Sequence, residues 1–181
     1  MGCVVWECVL LTTSTESMHF ALIPMAAISL LSVIGSGPIA YGNPAFGRFE
    51  TLSDSCKYQL AEGEQQPCKV IQLDRKSDAV VAVRFIGRGE RQGSRRELTF
   101  VTITAKGAVP LTCTGGDCRL KKEPWLSTVS SVAEKNFNER GLSQGLPKAW
   151  PVRGECKLSS NHLSCRSKSF SGEVLTGEGH L

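Results

Sequence analysis

Positive charge is absent from the first quarter of the chain. No lysine or arginine precedes Arg48, and residues 17–47 contain no acidic residue either. The apolar centre of this uncharged segment runs from Phe20 to Ile34. As a helix it would reach about 22 Å, which is short of the ~30 Å hydrocarbon core of a bilayer. The segment is therefore more typical of the apolar region of a signal peptide than of a membrane span.

The basic residues that usually begin a signal peptide are also missing. Residues 1–17 carry two acids and two cysteines instead. We therefore predict that residues 1–17 are an over-extended translation start and that translation begins naturally at Met18. The alternative is an uncleaved membrane anchor that holds Cys3 and Cys8 on the other side of the membrane.

The domain organisation follows from a cleavage site. Ala40 and Gly42 are the small residues that a signal peptidase reads, so we predict a signal peptide over residues 1–42 and a single exported β-rich domain over residues 43–181. About 140 residues is a common size for one domain. All 21 lysines and arginines follow residue 47, as do 15 of the 17 acids, so the formal net charge of this domain is +6. Such a charge suits an anionic partner or simply solubility, and the predicted location is secreted or periplasmic.

Histidine is scarce. The chain has three, and only His162 and His180 follow the leader. A catalytic dyad or a histidine metal site therefore has little material, and we expect no metal site and no cofactor. His162 is next to a predicted turn, so we expect it to be an exposed turn histidine.

One short string matches a catalytic motif. Residues 141–145 read Gly-Leu-Ser-Gln-Gly, which fits the Gly-x-Ser-x-Gly pattern of hydrolase nucleophile elbows. That elbow needs a strand before the serine and a helix after it, whereas here a predicted helix comes before Ser143 and Pro147 follows it. We assign no catalytic residue.

The six cysteines after residue 50 form three close pairs, and each pair brackets a turn-like sequence. We predict three β-hairpins, each closed by its own disulfide in an oxidising compartment. A zinc site is the alternative, because Cys-x4-Cys is an accepted zinc spacing. Six cysteines leave two over from a four-ligand site and none over from three disulfides. The predicted disulfides are Cys56–Cys68, Cys113–Cys118 and Cys156–Cys165.

Turn positions give the hairpins a register. A two-residue turn at Gly115-Gly116 places the second cysteine pair at a non-hydrogen-bonded position, where Cα atoms approach to roughly 4.5 Å. A turn at Ser160-Asn161 does the same for the third pair and aligns Leu158 with Leu163. The first pair needs an odd-length loop, which residues 61–63 supply with a left-handed glycine. Counting then places that pair at a hydrogen-bonded position.

The most strand-like segments are residues 79–86 and 97–104, which are rich in β-branched residues. We predict that they pair as a central hairpin. One shared face carries Val81, Val83 and Phe85, and another carries Thr99, Val101 and Ile103. Their connection, residues 87–96, is predicted to be a long flexible loop rich in arginine. Guanidinium groups match carboxylate and phosphate geometry, so the predicted binding residues are Arg84, Arg88, Arg91, Arg95 and Arg96.

The part of the chain after Pro124 contains a helical pattern. Apolar residues recur there at helical spacing: Leu126, Val129, Ala133 and Phe137. With Ser127 as N-cap and Gly141 as stop, we predict one short amphipathic helix. An irregular connector over residues 141–154 and a frayed tail from Ser171 should follow. The predicted fold is mainly β, a small disulfide-stapled antiparallel sheet or barrel-like domain with that one helix.

Two functional classes fit these features. The first is an exported, non-enzymatic binding module whose basic hairpin loop docks an anionic envelope polymer, a lipid head group or an acidic protein surface. The loop has no aromatic residue on which bases could stack, so no specific nucleic acid is expected, and the mature form should have no stable membrane span. The alternative is a small secreted hydrolase or hydrolase inhibitor.

Overall fold

The computed structural model describes residues 46–181 except Glu62, all within one compact unit, Ile39–Leu181. The predicted signal peptide, early start and cleavage site lie outside the described residues. The described part of the chain contains strands and no helix, and hence none with the length and apolar character needed to cross a membrane. The strands are β1 (Gly47–Leu52), β2 (Lys57–Gln59), β3 (Gln65–Arg75), β4 (Val80–Arg88), β5 (Arg95–Ile103), β6 (Leu111–Thr114), β7 (Gly116–Leu120), β8 (Trp125–Phe137), β9 (Ser143–Ser159), β10 (His162–Ser169) and β11 (Val174–His180).

Eight strands close into an antiparallel barrel. Their order is β2-β11-β10-β9-β8-β5-β4-β3, and β3 pairs back with β2. β1 continues the line of β2 along the same edge of β3, because β1 pairs with residues 70–75 and β2 with residues 65–67. The β6–β7 hairpin joins through a short parallel pairing of Gly47 with Gly116. The predicted mainly β, antiparallel architecture is confirmed.

The barrel interior is filled by apolar side chains that alternate along the strands. The predicted central hairpin is β4–β5, with Phe85 opposite Leu98. The rings of Phe85 and Phe100 meet edge to face with centroids 5.8 Å apart. Phe85 also lies against Gly177, where a Cβ would overlap the ring, so β11 needs glycine at that point. Fully buried core residues of the hairpin are Val81, Val83, Phe85, Leu98 and Phe100.

The three predicted disulfides are present. In the second and third the Cα atoms are 4.0 Å apart, as the close-approach register requires. Ser160 and Asn161 have φ of 51° and 64°, so the predicted turn has the left-handed backbone of a primed hairpin. In the first pair the Cys68 N–H donates to Cys56 O (2.9 Å), which confirms the hydrogen-bonded position.

The predicted helix after Pro124 is wrong, because those residues form β8. Its register against β5 shifts between Val129 and Ser131, which leaves Ser130 as a bulge. A bulge adds one residue to a strand, so Val129 and Val132, three positions apart, both point into the core with 1% and 0% exposure. The four apolar residues of the helical pattern do not share one face, since Val129 is buried whereas Leu126 is 61% exposed, and Ser127 lies in the strand rather than at an N-cap.

The predicted irregular connector and frayed tail are wrong as well. Residues 143–151 form the first part of β9 and pair only with β8, since β10 pairs with β9 from Val152 onward. Proline is tolerated where an edge needs no N–H donor, which explains Pro147 and Pro151 in this segment. The tail forms β11, which lies between β10 and β2 and buries Leu175 completely.

Candidate anion-binding groove

Strand alternation separates the predicted arginines. β4 extends to Arg88 and β5 begins at Arg95, so the connecting loop is residues 89–94, shorter than expected. The loop is closed by a hydrogen bond from Gly89 N to Ser94 O (2.9 Å). Successive residues of a strand face opposite sides. Consequently Arg95 lies on the outer face of the barrel, with Arg84 and Arg88, while Arg96 lies on the inner face.

A groove of about 490 Å³ crosses the outer face of strands β1, β3, β4, β5 and β8. We call it the outer groove. The uncharged residues that line it are Val70, Gln72, Ile86, Thr99 and Phe137. The charged residues that line it are Arg48, Glu50, Arg84, Arg95, Glu97 and Lys135. The structure therefore brings Arg84 and Arg95 together in one site and adds two cations from other strands.

Asp74 of β3 lies beneath this groove, and its side chain is only 3% exposed. Its Oδ1 accepts hydrogen bonds from Arg48 Nε (2.9 Å) and Gln72 Nε2 (3.0 Å). Its Oδ2 lies 3.1 Å from Arg84 Nη1 and 3.5 Å from Lys76 Nζ, without a hydrogen bond. One buried carboxylate thus faces three cations.

The pKa of Asp74 reflects this setting. Burial raises the pKa of the carboxyl, but the hydrogen bonds from Arg48 and Gln72 and the charges of Arg84 and Lys76 together outweigh burial. The pKa therefore lies below its ordinary value. Asp74 stays charged at neutral pH and orients the two guanidinium groups.

Most guanidinium donors in the outer groove remain available. A guanidinium has five N–H donors, and Asp74 engages one nitrogen of Arg48 and one of Arg84. The Arg48 side chain is 57% exposed and that of Arg84 is 26% exposed. Holding a side chain in place before binding lowers the conformational cost of contacting a ligand. The groove thus presents pre-positioned cations with unused donors.

An aromatic ring completes one end of the groove. The register pairs Arg95 with Phe137, and the Arg95 guanidinium carbon lies 4.3 Å from the ring centroid. Lys135 Nζ is 5.3 Å from the same centroid. Arg95 Nε also forms an ion pair with Glu97 Oε1 at 3.0 Å. The arginine loop has no aromatic residue of its own, but β8 places one beside it.

Arg96 occupies a different environment, at the end of the barrel interior. Its Nε donates to Asn136 Oδ1 (3.0 Å) and lies 3.9 Å from Glu134 Oε1, and its Nη2 lies 3.1 Å from Glu90 Oε1. Buried Tyr58, whose hydroxyl has no hydrogen-bond partner among the described residues, lies within the electrostatic reach of Arg96 and Glu134. We call Tyr58, Arg96, Glu134 and Asn136 the barrel mouth. Burial, with a smaller contribution from Glu134 and against that of Arg96, raises the pKa of Tyr58 to about 12.

Of the two remaining predicted arginines, Arg88 is the last residue of β4 and Arg91 lies in the loop. Arg88 and Arg91 are exposed, and neither forms an ion pair with another described residue. The Arg91 backbone N–H donates to Ser94 Oγ (3.0 Å), which orders the loop but leaves the guanidinium in solvent. The loop therefore adds two unpaired cations beside the groove.

The candidate catalytic motif lies in a β-hairpin. Ser143 is the exposed first residue of β9 and pairs with Phe137, and the chain continues as a strand rather than as the helix that a nucleophile elbow needs. His162 is partly buried at the start of β10, next to the predicted turn, and not fully exposed as expected.

Sequence reasoning proposed Arg84 and Arg95 but missed the other charged residues of the outer groove. Arg48, Asp74 and Lys135 come from β1, β3 and β8, and only the register of the sheet brings them beside Arg84. The one local signal is an acid directly after the apolar run of β3. Fold and site together define a disulfide-stapled eight-stranded barrel with a cationic outer groove. Comparisons with protein-family models, curated proteins and solved structures found no match to this chain.

Proposed function

We propose that this protein is an exported, non-enzymatic binding module that takes an extended polyanion in the outer groove. The observation that carries the proposal is the excess of cations around Asp74. One guanidinium would neutralise that carboxylate, yet Arg48, Lys76 and Arg84 all face it. The outer face around the groove has the cations Arg48, Lys76, Arg84, Arg88, Arg95 and Lys135, and the acids Glu50, Asp74 and Glu97.

The spread of these charges favours an extended ligand over a single small anion. Arg84 and Arg88 are four residues apart on one face of β4, which corresponds to about 13 Å. From β1 to β8 the groove crosses four strand spacings, or about 19 Å. A chain that carries repeated carboxylate, sulfate or phosphate groups reaches several of these cations at once. Its uncharged portions could lie against Phe137.

The proposed location is secreted or periplasmic. Three disulfides are compatible with an oxidising environment, and an anionic polymer of a cell envelope is then the class of partner that suits the groove. Lipid head groups and acidic protein surfaces carry the same anionic groups and are the competing partners.

Heparin serves as the probe polyanion. The test compares the affinity of the full chain for heparin with that of the double variant Arg84→Gln/Arg95→Gln, by fluorescence titration at low salt. Two exposed charge contacts should reduce affinity about tenfold, and wild-type binding should weaken steeply with salt because the contacts are screened. The matched control is Arg119→Gln, an exposed arginine of β7 outside the groove.

Two results would contradict the proposal. One is equal heparin affinity of the wild type and the double variant. The other is that the protein still binds vesicles containing anionic lipid when heparin is present at concentrations that should displace them. That outcome assigns the groove to lipid head groups. The heparin affinity of the control variant should stay within twofold of that of the wild type.

A further inference from the structure

The sheet brings together two histidines that are 18 positions apart in sequence. The β10–β11 register places His162 directly opposite His180. Their ring centroids are 5.0 Å apart and the ring planes meet at 61°. Nothing in the spacing of the sequence indicates this pair, because the contact depends on the tail forming β11.

The backbone fixes these histidines at a close-approach position. The Leu181 N–H donates to Asn161 O (2.8 Å), so the hydrogen-bonded position is one residue away from the histidine pair. His162 and His180 therefore occupy a non-hydrogen-bonded position, where Cα atoms are about 4.5 Å apart and facing side chains meet. Imidazole nitrogens bind a metal ion at about 2.1 Å, so two of them on one ion lie within about 4 Å of each other. Rings at the observed separation reach that arrangement by rotating about their own bonds.

The imidazole nitrogens of the pair are available. Apart from their mutual ring contact, neither side chain has a hydrogen bond or ion pair with a described residue. His180 is exposed and His162 partly so. Glu178, two positions before His180 on the same face of β11, pairs with Lys57 at 2.8 Å. Within residues 46–181 no third ligand completes a metal cluster, so water must fill the remaining coordination positions.

We propose that His162 and His180 form a two-histidine surface site for a late first-row divalent metal ion. Imidazole suits nickel, copper and zinc, and affinity rises along the series toward copper. Each histidine contributes one nitrogen, and solvent completes the coordination sphere. Because the unfolded chain does not hold the two rings together, the bound ion stabilises the folded chain by clamping β10 to β11.

Ni²⁺ is the probe, because it binds imidazole without oxidising thiols. Calorimetric titration of the full chain with Ni²⁺ should show a site that His162→Asn and His180→Asn each weaken at least tenfold. The matched control is His19→Asn, the third histidine of the chain, which should keep wild-type affinity. Any binding by Cys3 and Cys8 is common to all these chains and cancels in the comparison.

Two further measurements keep the test decisive. Saturating Ni²⁺ should raise the Tm of the wild type and of His19→Asn but not that of the double variant His162→Asn/His180→Asn. In the wild type, paramagnetic broadening of amide resonances should centre on residues 162 and 180. The proposal is overturned if the double variant binds Ni²⁺ as tightly as the wild type, or if the broadening centres elsewhere.

Discussion

Arg95 and Arg96 are neighbours in sequence but enter two regions with opposite charge balance. In the barrel mouth, Arg96 meets two acids, Glu90 and Glu134, and the amide oxygen of Asn136. In the outer groove the ratio is reversed around Asp74, because three cations, Arg48, Lys76 and Arg84, face its one buried carboxylate. Only one of the two clusters therefore has spare positive charge to offer a ligand.

Burial explains why the two regions differ. A charge taken out of water needs a partner, and Arg96 with a 20% exposed side chain has its partners close by. The cations of the outer groove are partly solvated, so they tolerate an excess. We therefore assign Arg96 a mainly structural role and give the ligand contacts to the outer groove.

The largest effect should come from Asp74→Asn. This change removes the charge that Arg48, Lys76 and Arg84 share and leaves them to repel one another. We expect the free energy of unfolding in urea to fall by about 2 kcal/mol. Asp117→Asn, at an exposed position of β7, should cost less than about 0.5 kcal/mol. Equal losses in both variants would mean that Asp74 does not organise the groove.

The contribution of Asp74 should depend on pH in a defined direction. Its folded pKa lies below its ordinary value, so the unfolded chain takes up the proton first as pH falls. Asp74 therefore stabilises the fold fully above the unfolded pKa of about 4 and loses that effect as pH drops through the folded pKa. Urea unfolding at a series of pH values should show the gap between wild type and Asp74→Asn shrinking below about pH 4. A gap that is constant down to the lowest pH at which both fold contradicts this.

Arg95→Gln and Arg96→Gln should differ in their effect on heparin affinity. Arg96→Gln leaves buried Glu134 short of a partner, so it should cost about 1–2 kcal/mol of stability and change heparin affinity less than twofold. Arg95→Gln should lower heparin affinity about threefold to fivefold, and because it removes the partner of Glu97 at 3.0 Å it should also cost about 1–2 kcal/mol of stability. Urea unfolding and heparin titration measure both variants. The reverse pattern would move the binding site to the barrel mouth.

The prediction with the smallest effect on stability at neutral pH concerns the ionisation of Tyr58. Tyr41→Phe leaves Tyr58 as the one tyrosine of the chain, so tyrosinate absorbance reports its ionisation alone. The pKa should be about 12 rather than about 10. Because the folded pKa is raised, this contribution to stability is present below about pH 10 and is lost as pH rises toward 12. Ionisation near pH 10 with the fold intact would show that the barrel mouth is open to water.

Features set by neighbouring residues could be predicted from the sequence, whereas features set by distant strands could not. Turn residues and cysteine spacing are local, so the hairpins at Gly115-Gly116 and Ser160-Asn161 were predicted with their register. The segment after Pro124 has apolar residues at helical spacing but forms β8, because it pairs with β5 and β9, which are distant in sequence or follow it. β11 is held by packing of its glycines against Phe85 and Ile71, a partnership that its own polar sequence does not show.

The residues of the candidate site also differ in whether local sequence indicates them. The arginines of the β4–β5 hairpin stand close together in sequence and were found, but the faces they occupy depend on where the strands end. Asp74 and Arg48 belong to strands whose neighbours along the sheet are fixed by barrel closure. The histidine pair likewise exists only because β11 completes the barrel beside β10.

The most direct test of the central claim is NMR mapping of a short heparin oligosaccharide on the protein, including the arginine Nε–Hε resonances. We expect the largest shifts at Arg48, Arg84 and Arg95 and at the amide of Phe137, with Arg96 little changed. Shifts concentrated at Arg96 and Tyr58, with the outer groove unaffected, would contradict it.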